Sequence, residues 1–212
     1  MKNIIRILFC SALLIFTTNV KADVQFGIGG QLGLVDTAGT EKEGTAADTS
    51  NRSTSFEELF VGADLFIEHV ADGGFTIGLS YVPLDIELGS GSRTDVDGDD
   101  AAENDDGLRS ATADITDFTT LYANVPMGSN GFYGLVGYHF ATITTQETLN
   151  ESSYGNEDIT GYQIGIGKRN GNVKLELTYS DFEDISLTAT GGGTNSISAD
   201  ADALALRLSY GF

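Results

Sequence analysis

The stretch Leu204-Ala205-Leu206-Arg207-Leu208-Ser209-Tyr210-Gly211-Phe212 alternates apolar and polar residues without a break and ends on an aromatic. A period of two puts Leu204, Leu206, Leu208, Tyr210 and Phe212 on one face of a strand and Ala205, Arg207, Ser209 and Gly211 on the other. One face meets an apolar medium and the other a polar one. A soluble sandwich can also end on such a strand, but a bare aromatic as the last member of its apolar face is unusual there.

The opposite end of the chain points the same way. Lys2 and Arg6 precede an apolar run from Ile7 to Phe16, and Val20-Lys21-Ala22 supplies short residues at the two positions read by a signal peptidase. The run is too short to cross a hydrocarbon layer, which takes about 20 residues. Residues 1–22 are expected to be a signal peptide cleaved after Ala22, with 23–212 as one domain. Phe9 stands before Cys10 where a lipobox needs a small residue, so Cys10 leaves with the signal and the mature chain has no disulfide. Losing Lys2, Arg6 and Lys21 takes the net charge from −20 to −23. Such a surface repels nucleic acid. No later stretch is apolar enough for a spanning helix, so any membrane crossing must be made by strands.

Alternation predicts eight strands, an even number that suits a closed barrel. The first, Val24 to Val35, has Val24, Phe26, Ile28, Leu32 and Leu34 on the lipid face and Gln25, Gly27, Gly29, Gln31 and Gly33 inside. The second, Leu59 to His69, turns Asp64 and Glu68 inward. The third starts at Phe75, and its phase slips near Pro83 to Leu84, Ile86 and Leu88, as at a bulge. The fourth is Ala113 to Val125. The fifth, Phe132 to Thr145, is apolar on both faces and its facing stays open. The sixth is Thr160 to Arg169, the seventh starts at Val173 with Lys174 and Glu176 inward, and the eighth is the terminal strand with Arg207 inward.

The connections alternate as well. Short turns near 71–74, 126–131 and 170–172 separate long polar connections near 36–57, 89–112, 146–159 and 188–200. Short periplasmic turns and long outer loops are the asymmetry of an outer-membrane barrel, and every backbone amide in hydrocarbon needs a partner that only a closed sheet supplies.

Taken together the chain resembles the small eight-stranded outer-membrane β-barrels of Gram-negative bacteria, the opacity-protein, OmpA-transmembrane-domain, OmpX and OmpW type group. The resemblance implies an all-β, antiparallel, up-and-down transmembrane barrel with both termini in the periplasm. It also implies that Phe212, Tyr210, Leu208 and Leu206 form the signal read by the barrel-assembly machinery. Outer-membrane lipids and lipopolysaccharide are the expected surroundings.

Three further readings concern chemistry. Asp64, Glu68, Lys174, Glu176 and Arg207 share lumen parity, so a buried ion-pair network anchored by Arg207 is expected, with groups facing trapped water as the alternative. Asp95, Asp97 and Asp99 place oxygens at alternate positions, as a divalent cation prefers. Against an EF-hand, Asp100 stands at position six and Asp106 at twelve, so a solvated acidic loop competes with that reading. Catalysis is not expected. The only histidines are His69 and His139, His139 is followed by Phe140 and Ala141 so that a His-x-Ser spacing is missing, and Gly167-Lys168-Arg169 departs from a phosphate-binding loop. No cofactor is called for. The function classes left are a structural or surface-binding barrel working through long acidic outer loops, a narrow porin-like channel allowed by the inward glycines, and, behind both, a lipid-modifying enzyme.

Overall fold

The computed structural model describes residues 23–45, 48–95, 107–148, 153–190 and 195–212. The proposed signal peptide, Ala22 included, lies outside the described residues, as do Asp97 and Asp99. Ten strands are present among the described residues: β1 (Asp23–Thr45), β2 (Asp48–Val70), β3 (Thr76–Tyr81), β4 (Ile86–Asp95), β5 (Gly107–Pro126), β6 (Phe132–Glu147), β7 (Asn156–Asn170), β8 (Val173–Phe182), β9 (Ile185–Thr188) and β10 (Ser196–Gly211). β3 and β4 both pair with β5, and β8 and β9 both pair with β10, so ten strands make eight staves. All pairings are antiparallel, and β1 pairs with β10 as well as with β2, which closes the sheet. The Phe212 amide adds a last bond to the Phe26 carbonyl at 2.7 Å.

The staves run well past the lipid band. The segment expected as a loop over 36–57 is a continuous hairpin whose ladder reaches Thr45↔Asp48. The other outer connections are likewise shortened by strand on both sides. Polarity there marks exit from lipid, not exit from the sheet. Thr and Ser suit an extended backbone and pair across it, as Thr40 Oγ1 and Ser53 Oγ do at 2.9 Å.

Outward residues such as Phe26, Leu32, Val61, Ile164 and Leu206 are exposed and form an apolar belt. From Phe212 to Leu204 the tilted terminal strand covers roughly 20 Å of height, close to the band of an outer-membrane barrel. Aromatic rings sit at both margins, with Tyr210 against Phe212 at one and Tyr138 against Phe140 and Tyr162 at the other. Above the belt the outward row turns acidic, as Glu57, Asp36, Asp202 and Asp181 are consecutive register partners.

The phase slip near Pro83 is a break in the stave between β3 and β4, with a register shift at Glu87/Gly89 beyond it. Opposite the break, β5 shifts register between Thr116 and Thr119, and Asp117 takes φ 53°. Beyond the slip Ile86 and Leu88 do not continue the lipid face as expected. Leu88 is buried in the barrel interior and Ile86 packs against the same cluster. The interior at that height is apolar, so the inward residues there are apolar too.

Candidate functional site: the filled lumen

The interior is built in layers upward from the end that carries the short turns. Lowest are Glu68 on β2 and, from the far wall, Lys174 on β8 and Arg169 on β7. Lys174 Nζ donates to Glu68 Oε2 at 2.7 Å, Arg169 donates to Glu68 Oε1, and the Tyr122 hydroxyl donates to Oε2 at 3.0 Å. Next comes Arg207. Its Nε and Nη2 grip both oxygens of Asp64 at 2.8 and 2.6 Å, its Nη1 donates to Glu176, and the Tyr133 hydroxyl donates to Glu176 at 2.7 Å. Asp64, Glu68, Lys174 and Glu176 are all buried. Three carboxylates meet three cations, so the cluster carries no net charge, and its parts are tied by the bidentate geometry that makes arginine pairs strong.

Of these residues, Asp64, Glu68, Lys174, Glu176 and Arg207 were expected in the network and parity also turns Tyr122 and Phe66 inward, whereas Arg169 and Tyr133 were missed. Arg169 was within reach of the same rule, because Gln163, Gly165, Gly167 and Arg169 follow one another on the inner face. Phe66 fills the space between the two layers, with Lys174 Nζ 4.3 Å and the Arg207 guanidinium 5.1 Å from its ring centre. Such contacts favour the cation over the ring face.

The inward glycines are seats for these side chains. A Cβ at Gly29 would overlap both Asp64 Oδ2 and Arg207 Nε, because Asp64 is the register partner of Gly29 and reaches across it to Arg207. Gly167 leaves room for the Tyr133 ring in the same manner. Their absence of a side chain admits neighbours and does not widen a pore.

Above the charged layers lies a polar chamber of about 30 Å³ lined by Gln31, Ser80, Thr120, Gln163 and Thr178, enough for a few waters. Over it sits His139, buried, with Nδ1 2.8 Å from Thr120 Oγ1 and Nε2 2.9 Å from Ser180 Oγ. Phe118 and Phe182 flank the ring at 4.9 and 5.4 Å. No serine follows His139 at a His-x-Ser spacing, yet the fold brings one to it from another strand. Ser180 comes from β8, two staves away, and Gly161, the register partner of both His139 and Phe182, leaves room for the Phe182 ring that flanks the imidazole. This pair faces the sealed interior, away from the lipid face. His69 stands near the short turn after β2.

The upper lumen is an apolar plug that includes Val35, Leu88, Ile115, Ile143, Ile159 and Phe182. Facing in the fifth predicted strand is settled here, because Tyr133, Leu135, His139, Ala141 and Ile143 are all buried. Tyr154 caps the plug. Its hydroxyl donates to Glu41 at 3.0 Å and its amide donates to Glu147, while burial and the Glu41 carboxylate push the phenol up to about 12. Asp95 ends β4, and among the described residues no group of acidic, His or Cys side chains is arranged to hold a metal. Leu206, Leu208, Tyr210 and Phe212 all point outward.

No protein-family model matches this sequence, and no curated protein does. Solved structures do. The outer membrane protein OprG from Pseudomonas aeruginosa shares 14% identity over 91% of this chain and 98% of its own, with a TM-score of 0.51. Neisserial surface protein A shares 10% over 85% of this chain and 97% of its own, at 0.39, and Ail, the attachment invasion locus protein of Yersinia pestis, shares 11% over 87% and 98%, also at 0.39. By fold, the chain is a small eight-stranded antiparallel β-barrel of the outer-membrane type.

Proposed function

We propose that this protein is a non-conducting barrel of the bacterial outer membrane that presents an acidic, strand-built rim for binding or adhesion at the cell surface. The filled lumen supports this reading best. A neutral ion-pair lock and an apolar plug stack in series, so a solute would have to displace both, and eight staves enclose little more than their own side chains. The short turns, Asp23 and Phe212 share one end, which we assign to the periplasm. Lipids and lipopolysaccharide then surround the belt, the terminal strand is read by the assembly machinery, and divalent ions shared with lipopolysaccharide phosphates offset the acidic row above the belt. Catalysis has no part in this reading, nor does any cofactor.

The test combines two measurements on protein from outer-membrane fractions. Unboiled protein should migrate as a compact species that boiling unfolds, and deletion of Phe212 should deplete it. Purified barrel in planar bilayers should show no conductance above baseline. Steady single-channel steps would instead support the porin-like alternative.

A further inference from the structure

Four neighbouring staves share two features on their outer surface. In the middle of the apolar belt, Gly30, Leu32, Val61, Leu175, Leu206 and Leu208 line an open groove of about 380 Å³. Gly30 is its floor, since Phe26, Ile28, Leu32 and Leu34 on the same face of β1 all carry large side chains, and nothing lies within 4 Å of where a Gly30 Cβ would stand. The groove is shaped by β2, β1, β10 and β8. These same four staves carry Glu57, Asp36, Asp202 and Asp181, one in each, in a single register row above the belt.

The acids are not level. Followed on round the ring, their register row passes Tyr162, Tyr138, Leu121 and Leu79 and returns to β2 at Ile67, on the lipid face well below Glu57. The row therefore descends from Glu57 to Asp181, and Asp181 and Tyr162 meet at the lip of the belt. Tyr162 is 67% exposed and stands edge-on to Tyr138, which meets Phe140 edge-on in turn. As register partners, Asp181 and Tyr162 hold their Cβ atoms about 5 Å apart, so a cation at that corner meets a carboxylate and an exposed ring together. Among the described residues, the outer face of these four staves has no lysine or arginine between the belt and Lys42. A lipid phosphate finds no cationic side chain there, and a second copy of the chain would bring a further −20. On a tilted strand the step from Gly30 to Asp36 climbs roughly 15 Å, half of a hydrocarbon layer of about 30 Å. It is the separation between the middle of a bilayer and its headgroups.

We propose that this face is a docking site for a membrane lipid with a primary ammonium headgroup. An acyl chain fills the groove at Gly30, and the ammonium meets Asp181 and Asp202 beside the Tyr162 ring. Three N–H donors on one positive charge suit two carboxylates and a ring without a bridging ion. The proposal rests on the outer-membrane reading above and names one lipid chemistry and its place on the belt. On this face the ammonium takes the part that divalent ions play along the rest of the rim.

The probes are phosphatidylethanolamine and phosphatidylglycerol with identical acyl chains, added to the folded barrel in a neutral detergent and counted on the protein by native mass spectrometry. We expect one phosphatidylethanolamine to be held about tenfold more tightly than phosphatidylglycerol, the size expected of two partly exposed ion pairs and a ring contact together. A chelator should leave that difference unchanged. Asp181→Asn combined with Asp202→Asn should erase the preference. Gly30→Leu, whose side chain enters open space, should weaken retention of phosphatidylethanolamine about tenfold, and both variants should keep the heat-modifiable form. A preference that survives the double variant would overturn the proposal in favour of the overall charge of the protein. Phosphatidylglycerol held as tightly and released by the chelator would overturn it in favour of a divalent bridge, and unchanged retention by Gly30→Leu would overturn it as well. A closed, non-conducting barrel with no headgroup preference would overturn this inference while sparing the scaffold reading. Conductance in planar bilayers would sink the scaffold reading itself and leave the lipid counts standing.

Discussion

Replacing Arg207 with leucine removes the centre of the ion-pair lock. Asp64 loses both of its arginine bonds and Glu176 keeps only the Tyr133 hydroxyl, yet both carboxylates stay buried. Breaking a buried pair by deleting one partner costs about 3–5 kcal/mol, mostly because the remaining charge is left uncompensated. Lys174 donates one bond to Glu68 but keeps two further N–H groups and still offsets part of the Glu176 charge, so the cost should fall in the lower part of that range. With a urea slope of about 2 kcal/mol per molar, the unfolding midpoint should fall by about 2 M. The assay is urea unfolding of the barrel in lipid vesicles, followed by loss of the compact gel species. The decisive companion is the triple variant Arg207→Leu, Asp64→Asn, Glu176→Gln. With the stranded charges removed it should recover most of the loss, to within about 1–2 kcal/mol of the parent, since a neutral replacement of a buried cluster is often tolerated. A cost below about 1 kcal/mol for the single variant, or a triple variant as unstable as the single one, would refute the reasoning.

Other predictions concern the seats, the plug and the cap. Gly29→Ala should cost about 1–3 kcal/mol through overlap with Asp64 and Arg207, and much less in an Arg207→Leu background, because the two sites are coupled. Ile159→Ala should cost about 2–5 kcal/mol in the same unfolding assay yet leave planar bilayers silent, because the ion-pair lock below remains in place. The Tyr154 phenol is raised in the folded state, so its share of stability is complete below about pH 10 and is lost as pH rises through about 12. A difference titration of phenolate absorbance between the parent and Tyr154→Phe should show that late ionisation. A Tyr154 that ionises with the ordinary tyrosines would mean that it does not hold the Glu41 contact.

The charged lock was legible because parity in a strand is strict. Any residue two, four or six places from an inward one is inward, and Asp64, Glu68, Lys174, Glu176 and Arg207 obey this in β2, β8 and β10. Tyr133 was hidden because its strand is apolar on both faces. The upper lumen is an apolar plug, so oil-like residues face both the lipid and the interior and the period-two contrast vanishes. The outer hairpins were hidden for the opposite reason. Polar β-branched residues read as loop, although the ladder continues through them. The turn at 71–74 was plain from Ala71-Asp72-Gly73-Gly74, where both glycines take positive φ.

The alternation, the turn residues and the acid-rich composition are local properties, and they determined the class, the number of staves and, outside the doubly apolar fifth strand and the break near Pro83, which side chains face inward. Pairing partners around the ring are set by closure, which acts on the whole sheet at once. Only closure brings Glu68 across the lumen to Lys174, more than a hundred residues away, and Ser180 to His139 from two staves away. Closure also leaves two seams among the described residues, where β4 past the break at Val82–Asp85 shares no ladder with β2 and β9 past Phe182 shares none with β7. A sequence carries the preference of each residue for a face. The identity of the residue it meets there depends on stagger and curvature, which exist only in the assembled barrel.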